Sequence, residues 1–95
     1  MIRSFRGAEP ELVWQGIRSR KLPPDTQSVA LRKLMIPHRA RTLNDLRVPP
    51  ANRLEPLKGK RAGRWSIRID RQWRVRFRWR EGDAYDVEIV DYHDE

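Results

Sequence analysis

From Trp65 to Ile69, and again from Trp73 to Trp79, large apolar residues alternate with charged or polar ones, the periodicity of a sheet with one buried face. Trp65, Ile67, Ile69, Trp73, Val75, Phe77 and Trp79 take one side. Ser66, Arg68, Arg74, Arg76 and Arg78 take the other. A loop from Arg80 to Ala84 leads into a further alternating run, with Tyr85, Val87 and Ile89 inward and Asp86, Glu88, Val90 and Tyr92 outward. The pattern predicts three antiparallel strands with an apolar inner face and a cationic outer face.

The first half of the chain reads as helical. Ile2 to Phe5 suggests a short first strand. Glu9-Pro10-Glu11 marks a helix start, where carboxylates favour the positive end of the dipole, and Leu12, Val13, Trp14 and Ile17 supply its apolar stripe. This helix is expected to end before Leu22-Pro23-Pro24. Asp25 is then the predicted N-cap of a second helix carrying Val29, Leu31, Leu34 and Met35. Pro37 lacks an amide donor and crowds the preceding turn, so a stop or kink is expected near Ile36. Thr42 to Leu46 suggests one further turn, and Val48-Pro49-Pro50 an extended connection to a basic loop after Leu54. Helices covering one face of an antiparallel sheet make the predicted class α+β, with residues 1–95 as one domain.

The alternation also fixes which residues meet. A turn at Asp70 to Gln72 puts Arg68 opposite Arg74, a like-charge pair that opposes the sheet. A five-residue loop from Arg80 to Ala84 would put Trp79 opposite Tyr85, Arg78 opposite Asp86, Arg76 opposite Glu88 and Arg74 opposite the uncharged Val90. Arg76 and Arg78 then form ordinary cross-strand ion pairs of small surface value. Arg74 has no carboxylate across from it and has Tyr92 diagonally beside it, which suggests an anion arriving from outside.

Charge sharpens that picture. The chain carries +8 overall, distributed as +7 over residues 1–54, +8 over 55–80 and −7 over 81–95. Such a basic surface suits a phosphate backbone or an acidic protein partner. With no cysteine and only His38 and His93, neither disulfides nor a zinc site is expected, and no metal or cofactor is assigned. No signal-length apolar run opens the chain and no long uncharged stretch interrupts it, so a soluble cytoplasmic protein without membrane contact is expected. The tryptophans fall on the inward parity, which argues against a plain RNA-binding module that stacks bases on them.

The chain closes on Val90-Asp91-Tyr92-His93. Histidine exchanges protons near neutral pH, tyrosine donates or orients a hydrogen bond, and arginine stabilises charge developing on a phosphoryl group. Together these groups suit metal-free RNA cleavage, in which the 2′-hydroxyl attacks the adjacent phosphate.

Leu54-Glu55-Pro56-Leu57-Lys58-Gly59, Gly63-Arg64-Trp65-Ser66-Ile67-Arg68-Ile69, Gln72-Trp73-Arg74-Val75 and Asp86 to His93, in this order and spacing, resemble the HigB branch of the RelE-type toxins. The resemblance implies a type II toxin with a compact microbial-RNase (RelE) fold that cleaves mRNA in the ribosomal A site. It also implies a HigA-like helix-turn-helix antitoxin, through which alone the toxin reaches operator DNA. Residue by residue, the implied functional positions are Lys58, Arg74, Asp91, Tyr92 and His93, with Asp91 in a supporting role. Some members carry a histidine where this chain has Glu55, so the general base stays open among Glu55, His93 and the ribosome with its substrate. Pro37 is unusual within the family's longer helix. Lys60, Arg61, Arg64 and Arg68 are read as contacts to ribosomal RNA, since backbone neutralisation needs only positive charge. The alternative is a non-catalytic inhibitor of gyrase, like the ParE toxins that share the fold.

Overall fold

The computed structural model describes residues 1–61 and 63–92, with Arg61 defined by its backbone alone. Four strands form one antiparallel sheet in the order β1 (Glu55–Pro56), β2 (Arg64–Arg68), β3 (Trp73–Arg80) and β4 (Asp83–Asp91). Helices α1 (Ala8–Trp14) and α2 (Pro24–Arg39) cover one face. Between α2 and β1 the chain makes short 3-10 turns at Leu43–Arg47 and Pro50–Asn52, and a third, Gly59–Arg61, precedes β2.

The alternating residues become the core as their parity requires. Ile67, Val75, Phe77 and Val87 are fully buried, with Ile69, Trp73 and Ile89 nearly so, and Val13 and Leu34 meet them from the helices. Asp70 shapes the β2–β3 turn by accepting from the Gln72 and Trp73 amides at 2.8 and 2.9 Å. That turn sets Arg68 opposite Arg74, as read from the sequence. Across β3 and β4, Arg74 faces Val90 and Arg76 faces Glu88, again as expected.

Beyond Arg76 the register departs from the expectation. The connection is the two-residue turn Glu81-Gly82, both at positive φ (50° and 82°), so Trp79 faces Ala84 rather than Tyr85. Gly82 is needed there for a second reason: a Cβ would stand 3.2 Å from the Arg41 carbonyl oxygen. The shorter loop is absorbed by a bulge between Arg76 and Arg78, where Asp86 sits at φ 51° and its amide donates to Ser4 Oγ at 2.9 Å. Ala84 therefore takes the inner position predicted for Tyr85, and Tyr85 pairs with Arg78 on the outer face.

The N-terminal segment makes isolated parallel bridges to β4, Ile2 to Ala84 and Phe5 to Val87, in place of a full strand. Helix α1 ends earlier than predicted because Gly16 adopts φ 78°. Its amide and that of Ile17 then bond back to the Val13 and Leu12 carbonyls at 3.0 and 2.9 Å, closing the helix and leaving Ile17 outside the stripe. Helix α2 begins at Pro24, so Asp25 lies in the first turn rather than at the N-cap. It also runs through Pro37 to Arg39 as one helix. Pro37 lies close to the C-terminal end, so only the bond to the Lys33 carbonyl is forfeited, and Ala40 still donates to Ile36 at 3.0 Å. Pro37 is fully buried, joining Thr26, Ala30, Lys33 and Leu34 on the inward stripe, whereas Val29, Leu31 and Met35 are only partly covered.

Candidate functional site

Arg74 projects from the outer face of β3, yet its side chain is only 6% exposed. Its guanidinium donates to Ser66 Oγ at 3.0 Å and to Glu55 Oε1 at 3.3 Å, and the Tyr92 ring lies 4.7 Å away in a cation–π contact. The register explains each partner. Ser66 is on the neighbouring β2, β1 pairing sets Glu55 beside Ser66, and Tyr92 follows the end of β4. The sequence reading leaves Arg74 without a carboxylate because a two-residue strand shows no alternation, so β1 and its Glu55 go unseen. Arg68, the like charge opposite, turns toward the hairpin tip and donates to the Asp70 carbonyl at 3.1 Å.

These groups border a polar cleft of about 260 Å³ lined by Arg53, Glu55, Arg68, Asp70, Arg71, Arg74 and Tyr92. Four of the sequence-predicted residues, Glu55, Arg68, Arg74 and Tyr92, are thus brought together. Arg53, Asp70 and Arg71 join them without having been singled out. Arg71 was within reach of sequence reasoning, because it occupies the turn between Arg68 and Arg74. Arg53 was not, since its placement depends on a buried network: Lys33 Nζ donates to Asn52 Oδ1 at 2.8 Å, while Asn52 Nδ2 reaches the Leu46 and Val48 carbonyls at 3.2 Å each. Burial, reinforced by the neighbouring Arg32 charge, holds the Lys33 pKa below its usual value. The network pins Asn52, and the next residue, Arg53, takes φ 46° and ψ 58°, a left-handed conformation that disfavours a side chain.

The other predicted residues lie elsewhere. Lys58 and Lys60 are exposed on the connection between β1 and β2. Arg64 stands on β2 with its Nη1 3.9 Å from Glu88. Asp91 accepts from Gln72 Nε2 at 2.9 Å, tying the end of β4 to the β2–β3 turn. His93 and the Arg61 side chain lie outside the described residues.

The rest of the outer face is closed by ion pairs. Glu88, nearly buried, accepts from both Nε and Nη2 of Arg76 and has Arg6 Nε at 3.6 Å. The Arg76–Glu88 pair is therefore largely enclosed, not the surface pair anticipated. Arg78 still reaches Asp86, at 3.1 Å, although the bulge has moved Asp86 out of the directly opposite position. Among the described residues no three histidine or acidic side chains converge to hold a metal ion, and no helix is long and apolar enough to cross a membrane.

The family model for the RelE-like toxin of the type II toxin-antitoxin system HigB matches residues 9–93. Toxin HigB-1 of Vibrio cholerae is 42% identical over 76 residues, which cover 80% of this chain and 79% of that protein. Endoribonuclease HigB of Proteus vulgaris is 49% identical over 41 residues, 43% of this chain and 45% of that protein. Among solved structures, YafQ from E. coli matches with a TM-score of 0.58 at 10% identity, over 99% of this chain and 97% of that one. The YoeB/ParE toxin from Agrobacterium tumefaciens matches with a TM-score of 0.52 at 19% identity, over 95% of this chain and 98% of that one. These two likenesses are of fold: helices packed on one face of an antiparallel sheet.

Proposed function

The chain belongs to the HigB-like family of RelE-like toxins from type II toxin-antitoxin systems, and we propose that it is a metal-independent endoribonuclease that cuts mRNA held in the ribosomal A site. The observation that carries this reading is the cleft, where a buried, oriented guanidinium lies beside a tyrosine and is ringed by further arginines. The relative named an endoribonuclease favours cleavage over the gyrase-directed alternative.

In this reading the scissile phosphate sits against Arg74. The 2′-hydroxyl attacks phosphorus and gives up its proton, the P–O5′ bond breaks, and the leaving 5′-oxygen takes a proton, so a 2′,3′-cyclic phosphate and a 5′-hydroxyl end result. Arg74 balances the charge that builds on the non-bridging oxygens, held in advance by Ser66 and Tyr92. Tyr92 and His93 supply the proton-bearing groups, Asp91 holds the strand end that carries them, and Lys58 adds positive charge at the substrate. Lys60, Arg61, Arg64 and Arg68 engage ribosomal RNA backbone.

Family membership brings an antitoxin partner. We assign it as a HigA-like helix-turn-helix protein through which the pair reaches operator DNA, and place the whole chain, as one toxin domain, in the cytoplasm. The test is to map new mRNA 5′ ends after mixing the purified protein with translating ribosomes, with ribosome-free mRNA alongside. Cuts at a fixed place within codons, found only with ribosomes, are expected. Absence of cuts from folded, toxic protein would overturn the proposal.

A further inference from the structure

The cleft has one carboxylate whose engagement differs from all its neighbours. Asp70 is committed on both oxygens, Oδ1 to the Gln72 and Trp73 amides and Oδ2 to Thr26 Oγ1 at 3.3 Å. Among the described residues Glu55 meets Arg74 alone, by a single contact at 3.3 Å, longer than a well-formed charge-assisted bond, and its side chain is 51% exposed. It stands on a two-residue edge strand and can swing into water, leaving the buried Arg74 charge to be paired by an incoming anion. Arg74 is the opposite: buried, and fixed by Ser66 and Tyr92 even with Glu55 removed.

We infer that Glu55 is an internal occupant of the anion position on Arg74, and that a phosphodiester of single-stranded RNA takes its place when substrate binds. The inference rests on the reading of Arg74 as the phosphate-binding cation. A carboxylate and a phosphodiester each carry one negative charge and accept hydrogen bonds from a guanidinium, so the two compete for the same donor. Arg53 and Arg71 line the same cleft and favour the polyanion, whose neighbouring phosphates they can meet while a lone carboxylate cannot. Before substrate binds, Glu55 keeps the Arg74 charge paired. Its cost is a competing negative charge at the point of substrate entry, which makes Glu55 a determinant of affinity rather than the proton acceptor.

The probe is a 2′-O-methyl RNA trinucleotide, which cannot supply the attacking hydroxyl, titrated into the full chain while the Arg74 Nε–H resonance is followed by NMR. That resonance is assigned by its loss in Arg74→Lys. Glu55→Gln keeps the size and an acceptor oxygen at an exposed position, so the fold is retained. Removing the charge is expected to lower the titration midpoint about tenfold. A midpoint in Glu55→Gln equal to or higher than that of the native chain would overturn the inference while leaving Arg74 as the phosphate site. An Arg74 resonance unmoved in both proteins while others shift would instead refute the Arg74 reading itself, and the inference with it.

Discussion

Arg74 and Arg76 stand two residues apart on the same face of the same strand, and each is answered by a glutamate. The difference lies in the glutamates. Glu88, on the central run of β4, has a side chain only 10% exposed and gathers Arg76 with Arg6 and Arg64 around it. Glu55, on the short edge strand β1, is half open to water and touches one arginine by one contact. A buried carboxylate among several guanidinium groups cannot be withdrawn without stranding charge in a low-dielectric setting, so that half of the face is structural. An exposed carboxylate on an edge can be withdrawn once another anion takes its place on the buried guanidinium. The sheet thus has a closed half and an exchangeable half, and the second borders the arginine-lined cleft.

The largest effect is expected where the exchangeable half is broken. Arg74→Ala should lower cleavage of ribosome-bound mRNA by about 100- to 1000-fold, the usual loss for a preorganised electrostatic contact to a transition state. The antitoxin should still bind it, and pull-down with thermal melting would separate lost chemistry from lost fold. Glu88→Ala should do the reverse. It removes the nearly buried carboxylate that Arg76, Arg6 and Arg64 gather around, at about 3 kcal/mol, with a melting point about 15 °C lower. Cleavage per folded molecule should be retained.

Asn52→Ala tests how the cleft is tied to the helices. Losing the acceptor for buried Lys33 should cost about 2 kcal/mol in denaturant unfolding. Because Arg53 and Glu55 follow Asn52 directly, cleavage should fall as well, in contrast to Glu88→Ala. The smallest effect is a slope with pH. His38 Nδ1 accepts the Ile2 amide at 3.1 Å and its ring packs 4.9 Å from Trp14, on the helical side of the molecule. Burial, then the N-terminal ammonium and Arg39, hold its pKa below the usual 6.5. The unfolded chain therefore takes up this proton first as pH falls. Stability present above the usual value is lost progressively as pH drops through the window below it toward the folded-state value. Melting temperature should decline across that range, and His38→Gln should flatten the decline without altering the cleavage profile.

Strict alternation made the hairpin legible, since a one-residue slip would have turned Ile67, Val75 and Phe77 out of the core. Arg68 opposite Arg74 follows by counting from the turn at Asp70, whereas Arg74 opposite Val90 and Arg76 opposite Glu88, counted from a five-residue Arg80–Ala84 loop, hold because the bulge offsets the shorter turn. Counting failed from Arg78 onward because a bulge adds a residue that no pattern announces; Asp86 tolerates φ 51° better than most side chains, but the Ser4 hydroxyl that meets its amide lies far away in sequence. Glu55 was singled out by resemblance alone, and its pairing with Arg74 depends on a strand too short to have a period. Lys33 is a charged residue between the apolar Leu31 and Leu34 in sequence, yet it is the buried anchor of the loop that delivers Arg53. Long-range polar contacts of this kind leave no mark on local periodicity.

The division of the sheet is tested most directly by measuring cleavage of A-site mRNA by Arg74→Lys and Glu88→Gln, each normalised to its folded fraction. Lysine keeps the charge of Arg74 but not its planar fork, and glutamine keeps the shape of Glu88 but not its charge. Arg74→Lys should cut at least about 100-fold more slowly while melting near the native temperature, and Glu88→Gln should melt early yet cut at the native rate per folded molecule. Equal loss of cleavage in both, or native cleavage by Arg74→Lys, would contradict the account.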